Sequence, residues 1–179
     1  MNKPLPDEAR LVKRAQRRDR GALEVLMSRH ERRLYLCALS MVNDSWDAQD
    51  AVQDASLEIL QGIGRLRDET RFLPWAIRIV KNKCHDLMRH RKRVELSPAA
   101  ASRSRDDTYY IASEEDQSIL TALRDLEPDR RLAVALRYFA DMSYAEIAEA
   151  ADCPRPRPVK WCTGMRMALE HCLRSGRTS

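Results

Sequence analysis

A single interruption constrains this chain more than any of its regular parts. From Val94 to about Glu115 the sequence reads VELSPAAASRSRDDTYYIASEE, with Ser, Ala, Pro and Asp but no sustained hydrophobic period. On both sides apolar residues recur at helical spacing. Two amphipathic helical blocks separated by a linker therefore follow, at 8–93, 94–116 and 117–174. The first block and the terminal block are net basic, and the stretch between them is net acidic. Few glycines (five) and 6% aromatics favour helices over a sandwich or barrel. The expected fold class is all-α, with two small helical domains joined by a flexible linker.

In the first block Leu11, Ala15, Leu23, Leu26, Leu34 and Leu36 lie among charged residues, and the Asp19–Gly21 break divides two helices. NDSWDAQDAVQDASLEILQGI opens with helix N-cap chemistry between Asn43 and Asp47. Within it Val52, Ser56, Ile59 and Ile63 make one stripe, and Asp47, Asp50, Asp54 and Glu58 make another that is expected to face solvent. Gly62 and Gly64 close that helix. FLPWAIRIVKNKCHDLMRHRKR then starts near Phe72 and ends in a run of cations.

The second block carries a helix-turn-helix pattern. Ser143 and Glu146 have capping-box spacing, and Tyr144, Ile147 and Ala148 are the expected buried face of a short helix. After it comes CPRPRPVKW at 153–161, where alternating prolines bias Cys153, Arg155 and Arg157 to extended backbone. A helix restarts at Pro158, with Val159, Cys162, Met165, Leu169 and Cys172 as its apolar stripe. Lys160, Thr163 and Arg166 fall on its polar side. Such a pair places its second helix in the DNA major groove. Taken alone, the same pattern also fits a three-helix packing module with solvated charges.

The chain carries 32 Lys and Arg against 27 Asp and Glu, net +5. That excess suits a polyanionic partner. Arg78, Lys81, Asn82 and Arg89 interleave with Phe72 and Trp75, so cations for phosphates stand near rings able to stack on unpaired bases. The competing role for both rings is the hydrophobic core, and this is the commoner one. Catalysis finds no support. The acidic stripe has neither a partnering His nor an apolar pocket, and His30-Glu31 begins an HExxH motif that Leu34 ends. Cys153, Cys162, His171 and Cys172 match no standard zinc spacing. The expectation is a non-enzyme without metal or other cofactor. The sequence has no apolar run long enough to span a bilayer and no apolar signal core, so direct membrane insertion is not expected. A cytoplasmic location with reduced thiols is.

Read together, NDSWDAQDAVQDASLEIL, FLPWAIRIVKNKCHDLMRHRKR and ALRDLEPDRRLAVALRYFADMSYAEIAEAADC resemble an extracytoplasmic-function (ECF) sigma factor of the sigma-70 family. The resemblance covers about residues 8–93 (sigma region 2) and 117–174 (sigma region 4). It implies a promoter-specificity subunit that binds RNA polymerase core, through the β′ clamp helices and the β flap, and promoter DNA; an anti-sigma factor is the regulator the family suggests. Asp50, Gln53 and Asp54 match the family's D-x-x-Q-[DE] core-binding motif. Residues 64–82 match the part that melts the −10 element and Arg89 to Arg93 match the basic tail of its helix, which together assign Phe72, Trp75, Arg78, Lys81, Asn82 and Arg89 to that element. Arg155, Arg157, Lys160, Thr163 and Arg166 are assigned to the −35 element. CPRPRPVKWCTGMR departs from the family's short turn and [ST]-V-K-[ST]-R helix start. The alternative is therefore a sigma-fold interaction protein, impaired in −35 reading, that binds polymerase or a regulator.

Overall fold

The computed structural model describes residues 7–95 and 113–151. Seven α-helices lie among them: α1 (Glu8–Gln16), α2 (Arg20–Val42), α3 (Ser45–Gly62), α4 (Phe72–Glu95), α5 (Glu114–Ala122), α6 (Pro128–Phe139) and α7 (Tyr144–Ala150). Two 3-10 turns, Ile63–Arg65 and Glu69–Arg71, lead from α3 into α4. No strand occurs among the described residues.

Local chemistry accounts for the helix ends. Asp19 caps α2 by accepting from the Ala22 amide, and Asp44 caps α3 by accepting from Trp46 and Asp47. Asn43 ends α2 at φ 54°, a left-handed conformation that Asn tolerates, so α2 reverses into α3 within two residues. Ser143 and Glu146 form the expected reciprocal capping box, with Ser143 N donating to Glu146 Oε2 at 2.8 Å. Ser113 and Asp116 form a second capping box at the start of α5. That box lies inside the stretch read as linker, so helical structure resumes three residues before 117. At the other side α4 runs on to Glu95, past 93. Glu and Asp cannot extend a hydrophobic stripe, which is why periodicity missed a helix start set by capping alone.

Helices α1–α4 enclose one core in which Leu26, Leu34, Leu36, Ile59, Phe72 and Ile77 have no more than a trace of exposure. Fully burying side chains of this size contributes roughly 1.5–3 kcal/mol each. The inner face of α3 is Ala48, Ala51, Ala55 and Ile59, all fully buried. The expected stripe is thus shifted by one residue at its start: Val52 and Ser56 are only half-buried. Three alanines let α3 approach α2 and α4 closely, since interaxial distance follows the size of the contact residues. Gln16 on α1 donates to the carbonyls of Leu66 (2.8 Å) and Ile63 (3.4 Å), tying the α3–α4 connection to the bundle.

The second block does not stand apart. Helix α6 packs along α2, and α7 packs on α4. Arg131 of α6 is buried, with Nη2 donating to Met41 O at 2.9 Å in the last turn of α2. A cation there meets the carbonyl-rich end of a helix. Burial also draws its guanidinium pKa below the usual value.

Candidate functional site

The outer face of α3 is uncovered. Asp50, Gln53 and Asp54 are all exposed, one helical turn apart, as the motif requires. Glu58 continues the acidic face and pairs with Lys83 of α4 (2.8 Å), whose pKa is raised by that partner. Asp47 does not belong to this face, contrary to expectation. It is turned inward, with Arg91 Nε 2.5 Å from its Oδ2, and desolvation raises its pKa against the pull of Arg91. Two residues that polarity alone could not flag join the face instead: Leu57 is 60% exposed and Leu60 48% exposed. The available signal was their spacing, three and four residues for Leu57 and six and seven for Leu60 from Asp54 and Gln53. A groove of about 360 Å³ between α2 and α3, lined by Met27, Tyr35, Val52 and Gln53 among others, borders the same surface.

The second cluster follows α4. Arg78, Lys81, Asn82, His85 and Arg89 succeed one another at intervals of one to four residues, which places them on one broad face of α4, with Arg71 in the turn just before it. Arg78, Asn82 and Arg89 are exposed, and Arg89 is paired with Asp86. Of the two rings assigned to base capture, Phe72 has no exposed surface. It is a core residue, packed between His30 (ring centroids 5.6 Å) and Trp75 (6.2 Å), and so it positions the start of α4 rather than meeting a base. Trp75 is half-buried. A Cβ on Gly62 would sit 3.3 Å from its indole, so the glycine at the end of α3 makes the room the ring occupies. Arg91, in the cationic tail, is engaged by Asp47 and by Asp44 (3.6 Å) rather than turned to solvent alone.

Lys81 is the exception on that face. Its side chain is 13% exposed, and Nζ donates to Ala151 O at 2.5 Å with Asp129 Oδ1 at 3.6 Å. Those two partners belong to the second block.

In the second block, Ile147 and Ala150 are the buried positions of α7, while Tyr144 is 41% exposed and Ala148 half-buried. The expected inner face was therefore rotated, because Tyr144 follows directly on the N-cap and points away from the packed side. Arg155, Arg157, Lys160, Thr163 and Arg166, and the proline stretch with them, lie outside the described residues. So do Cys153, Cys162, His171 and Cys172. Cys37 and Cys84 are buried thiols whose pKa values burial raises, that of Cys84 to about 12. His30, the start of the failed HExxH motif, is buried beside Glu8 (3.5 Å) as a core residue. Among the described residues no group of His, Cys, Asp and Glu is arranged to hold a metal, and no helix is long and apolar enough to cross a membrane.

Comparison with known proteins agrees with this layout. The family model for sigma-70 region 2 matches residues 26–94, and that for sigma-70 region 4 matches residues 116–156. The chain is 35% identical over 134 residues to the RNA polymerase sigma factor CarQ of Myxococcus xanthus, spanning 70% of this chain and 74% of that protein. It is 26% identical over 168 residues to the ECF RNA polymerase sigma-E factor of Escherichia coli, spanning 86% and 87%. In fold it is similar to CnrH in complex with the cytosolic domain of CnrY, with TM-score 0.68, 23% identity, and 94% and 97% of the two chains covered. It is also similar to the sigma factor RpoE in complex with the anti-sigma factor NepR from Bartonella quintana (TM-score 0.66, 21% identity, 84% and 96% covered). With both regions matched in order, and a relative above 30% identity aligned over most of its length, the chain belongs to the ECF group of the sigma-70 family of RNA polymerase sigma factors.

Proposed function

We propose that this chain is an alternative sigma factor that binds RNA polymerase core and directs promoter recognition and transcription initiation. The observation that carries the proposal is the uncovered face of α3, where Asp50, Gln53 and Asp54 stand beside exposed Leu57 and Leu60. A solvated acidic face alone needs no partner. Two adjacent leucines left in water do suggest one, because burying them against a partner's apolar groups is favourable while the acids select a basic surface. The matching partner is the β′ clamp helices. Residues 8–93 form the unit that meets core polymerase and the −10 element through Trp75, Arg78, Lys81, Asn82 and Arg89, with Phe72 behind them. Residues 117–174 form the unit for the −35 element, through Arg155, Arg157, Lys160, Thr163 and Arg166, and for the β flap. Its role is binding, not catalysis. Residues 94–116 join the two units, an anti-sigma factor is the expected regulator, and the cytoplasm the expected site of action.

Run-off transcription from a genomic fragment library, with purified core polymerase and with or without this protein, tests the proposal. Transcripts that depend on the protein and share upstream sequences are the expected result. Core binding without specific transcripts would leave an adaptor of polymerase in its place.

A further inference from the structure

The turn between α1 and α2 carries two residues that local stability does not favour. Helix α1 ends in a Schellman motif, with Arg18 N donating to Ala15 O (2.9 Å) and Asp19 N to Arg14 O (3.2 Å). That motif needs a left-handed residue, and Arg18 holds it at φ 67°, where glycine would avoid the Cβ penalty. Arg20 then opens α2, whose first turn holds no acid, so a cation stands at the positive end of the helix dipole. Gln16 clamps the end of α1 to the carbonyls of Ile63 and Leu66, and Arg65 and Arg67 flank Leu66. The acids nearby are already matched: Asp19 by Arg14 (2.7 Å), Glu69 by Lys13 (3.8 Å) and Asp68 by Arg71 (3.6 Å). Arg17, Arg18, Arg20, Arg65 and Arg67 are exposed and form no ion pair with another described residue.

We propose that these five arginines form a second phosphate-binding surface, which takes the backbone of single-stranded DNA as it leaves Trp75. The proposal deepens the promoter-reading function above and rests on it. Contacts link the two places. A Cβ on Gly62 would lie 3.3 Å from the Trp75 indole, and Gly62 leads directly into the Ile63–Arg65 turn that Gln16 holds. A strand whose base stacks on the open part of Trp75 therefore passes into a region of unmatched positive charge. Five cations in excess of their local acids suit a polyanion. A protein partner fits less well, because interfaces are anchored by buried apolar side chains. No large hydrophobic side chain of α1, of the α1–α2 turn or of residues 63–71 is exposed. Arg18 and Arg20 occupy places where a glycine and an acid would be more stable, a local cost of the kind that binding sites retain and solvated surfaces do not.

The test follows the fluorescence anisotropy of a labelled oligothymidylate with the full-length protein, from about 50 to about 200 mM salt. Each lost phosphate contact makes the log–log salt dependence shallower by about 0.7 for a single strand. Arg17→Gln/Arg18→Gln and Arg65→Gln/Arg67→Gln should therefore each take about 1.4 from the slope. Arg124→Gln/Arg130→Gln, at exposed cations of the second block, should leave it unchanged. Arg18→Gly/Arg20→Glu should melt at a higher temperature than the wild type yet bind the oligonucleotide more weakly, which separates binding from folding. In run-off transcription the glutamine pairs should keep the wild-type start sites but lose their transcripts at lower salt. Slopes unchanged in both glutamine pairs, an equal fall in the second-block control, or a stabilised Arg18→Gly/Arg20→Glu that binds as tightly as the wild type overturns the proposal. So does loss of core-polymerase binding with the slopes intact, which would assign the surface to a protein. Reduced slopes with no protein-dependent transcript from any form would uphold the phosphate surface and refute promoter reading instead.

Discussion

Helices α3 and α4 lie side by side in one bundle, yet their outer faces have opposite fates. That of α3 presents Asp50, Gln53, Asp54, Leu57 and Leu60 to solvent. That of α4 presents basic residues, of which Lys81 and His85 meet Asp129 of α6, while Arg71 in the preceding turn meets Glu149 of α7. The difference lies in the complementarity within the chain. Among the described residues, Asp129 and Glu149 of the second block meet Lys81, His85 and Arg71, while Arg78, Asn82 and Arg89 stay exposed, so the α4 face is covered only in part and the α3 acids face solvent.

The largest effect should come from destroying the open face. Asp50→Arg with Asp54→Arg should abolish core binding in a pull-down while leaving the melting temperature nearly unchanged, because exposed substitutions usually stay within about 0.5 kcal/mol. Replacing Leu57 and Leu60 with Ser should weaken the same binding by about 1–2 kcal/mol per anchor, a graded loss seen by titration calorimetry. The α4 face gives a different signature. Arg78→Ala with Asn82→Ala should slow promoter opening, read by permanganate footprinting, and leave core affinity unaltered; equal loss of both would mean that the faces are not separate.

Next in size is the anchor between the blocks. Arg131→Met removes a charge-assisted hydrogen bond to Met41 O, worth about 1.5–3 kcal/mol in a buried setting, and relieves part of that by no longer burying a guanidinium. A net fall of about 1 kcal/mol in urea unfolding is expected, together with loosening of the second block, seen as faster amide exchange in α6 than in α3. The smallest effect is acid sensitivity. Asp19 and Asp68 are held below the usual carboxylate range, Asp19 by the Ala22 amide and Arg14, Asp68 by Thr70. Their contribution is complete above the ordinary Asp pKa near 4 and is lost as pH falls through the lower folded values. Circular dichroism should show slight loss at the start of α2 and in the Glu69–Arg71 turn below about pH 4, before the bundle itself gives way.

The chain spelled out its helices by periodicity and their beginnings by Asp44 and Ser143, whose capping geometry is local and independent of what packs nearby. The D-x-x-Q-D spacing likewise put Asp50, Gln53 and Asp54 on one face whatever the rest of the fold. Burial was harder to foresee. Phe72 and Trp75 are both aromatic and three residues apart, but only the surrounding helices decide that one is sealed in the core and the other half-exposed. Asp47 shared the helical stripe of Asp50 and Asp54 and was drawn inward by Arg91, forty-four residues away in the chain.

By itself, then, the sequence determined an all-helical chain in two blocks and the shared face of Asp50, Gln53 and Asp54, because helix period, caps and short motifs act over a turn or two. Tertiary structure alone decided that the outer face of α3 is left uncovered while part of the α4 face is packed against the second block. Pairings such as Lys81 with Ala151 and Arg131 with Met41 join residues seventy or more positions apart, and no local pattern records which surfaces such contacts will consume.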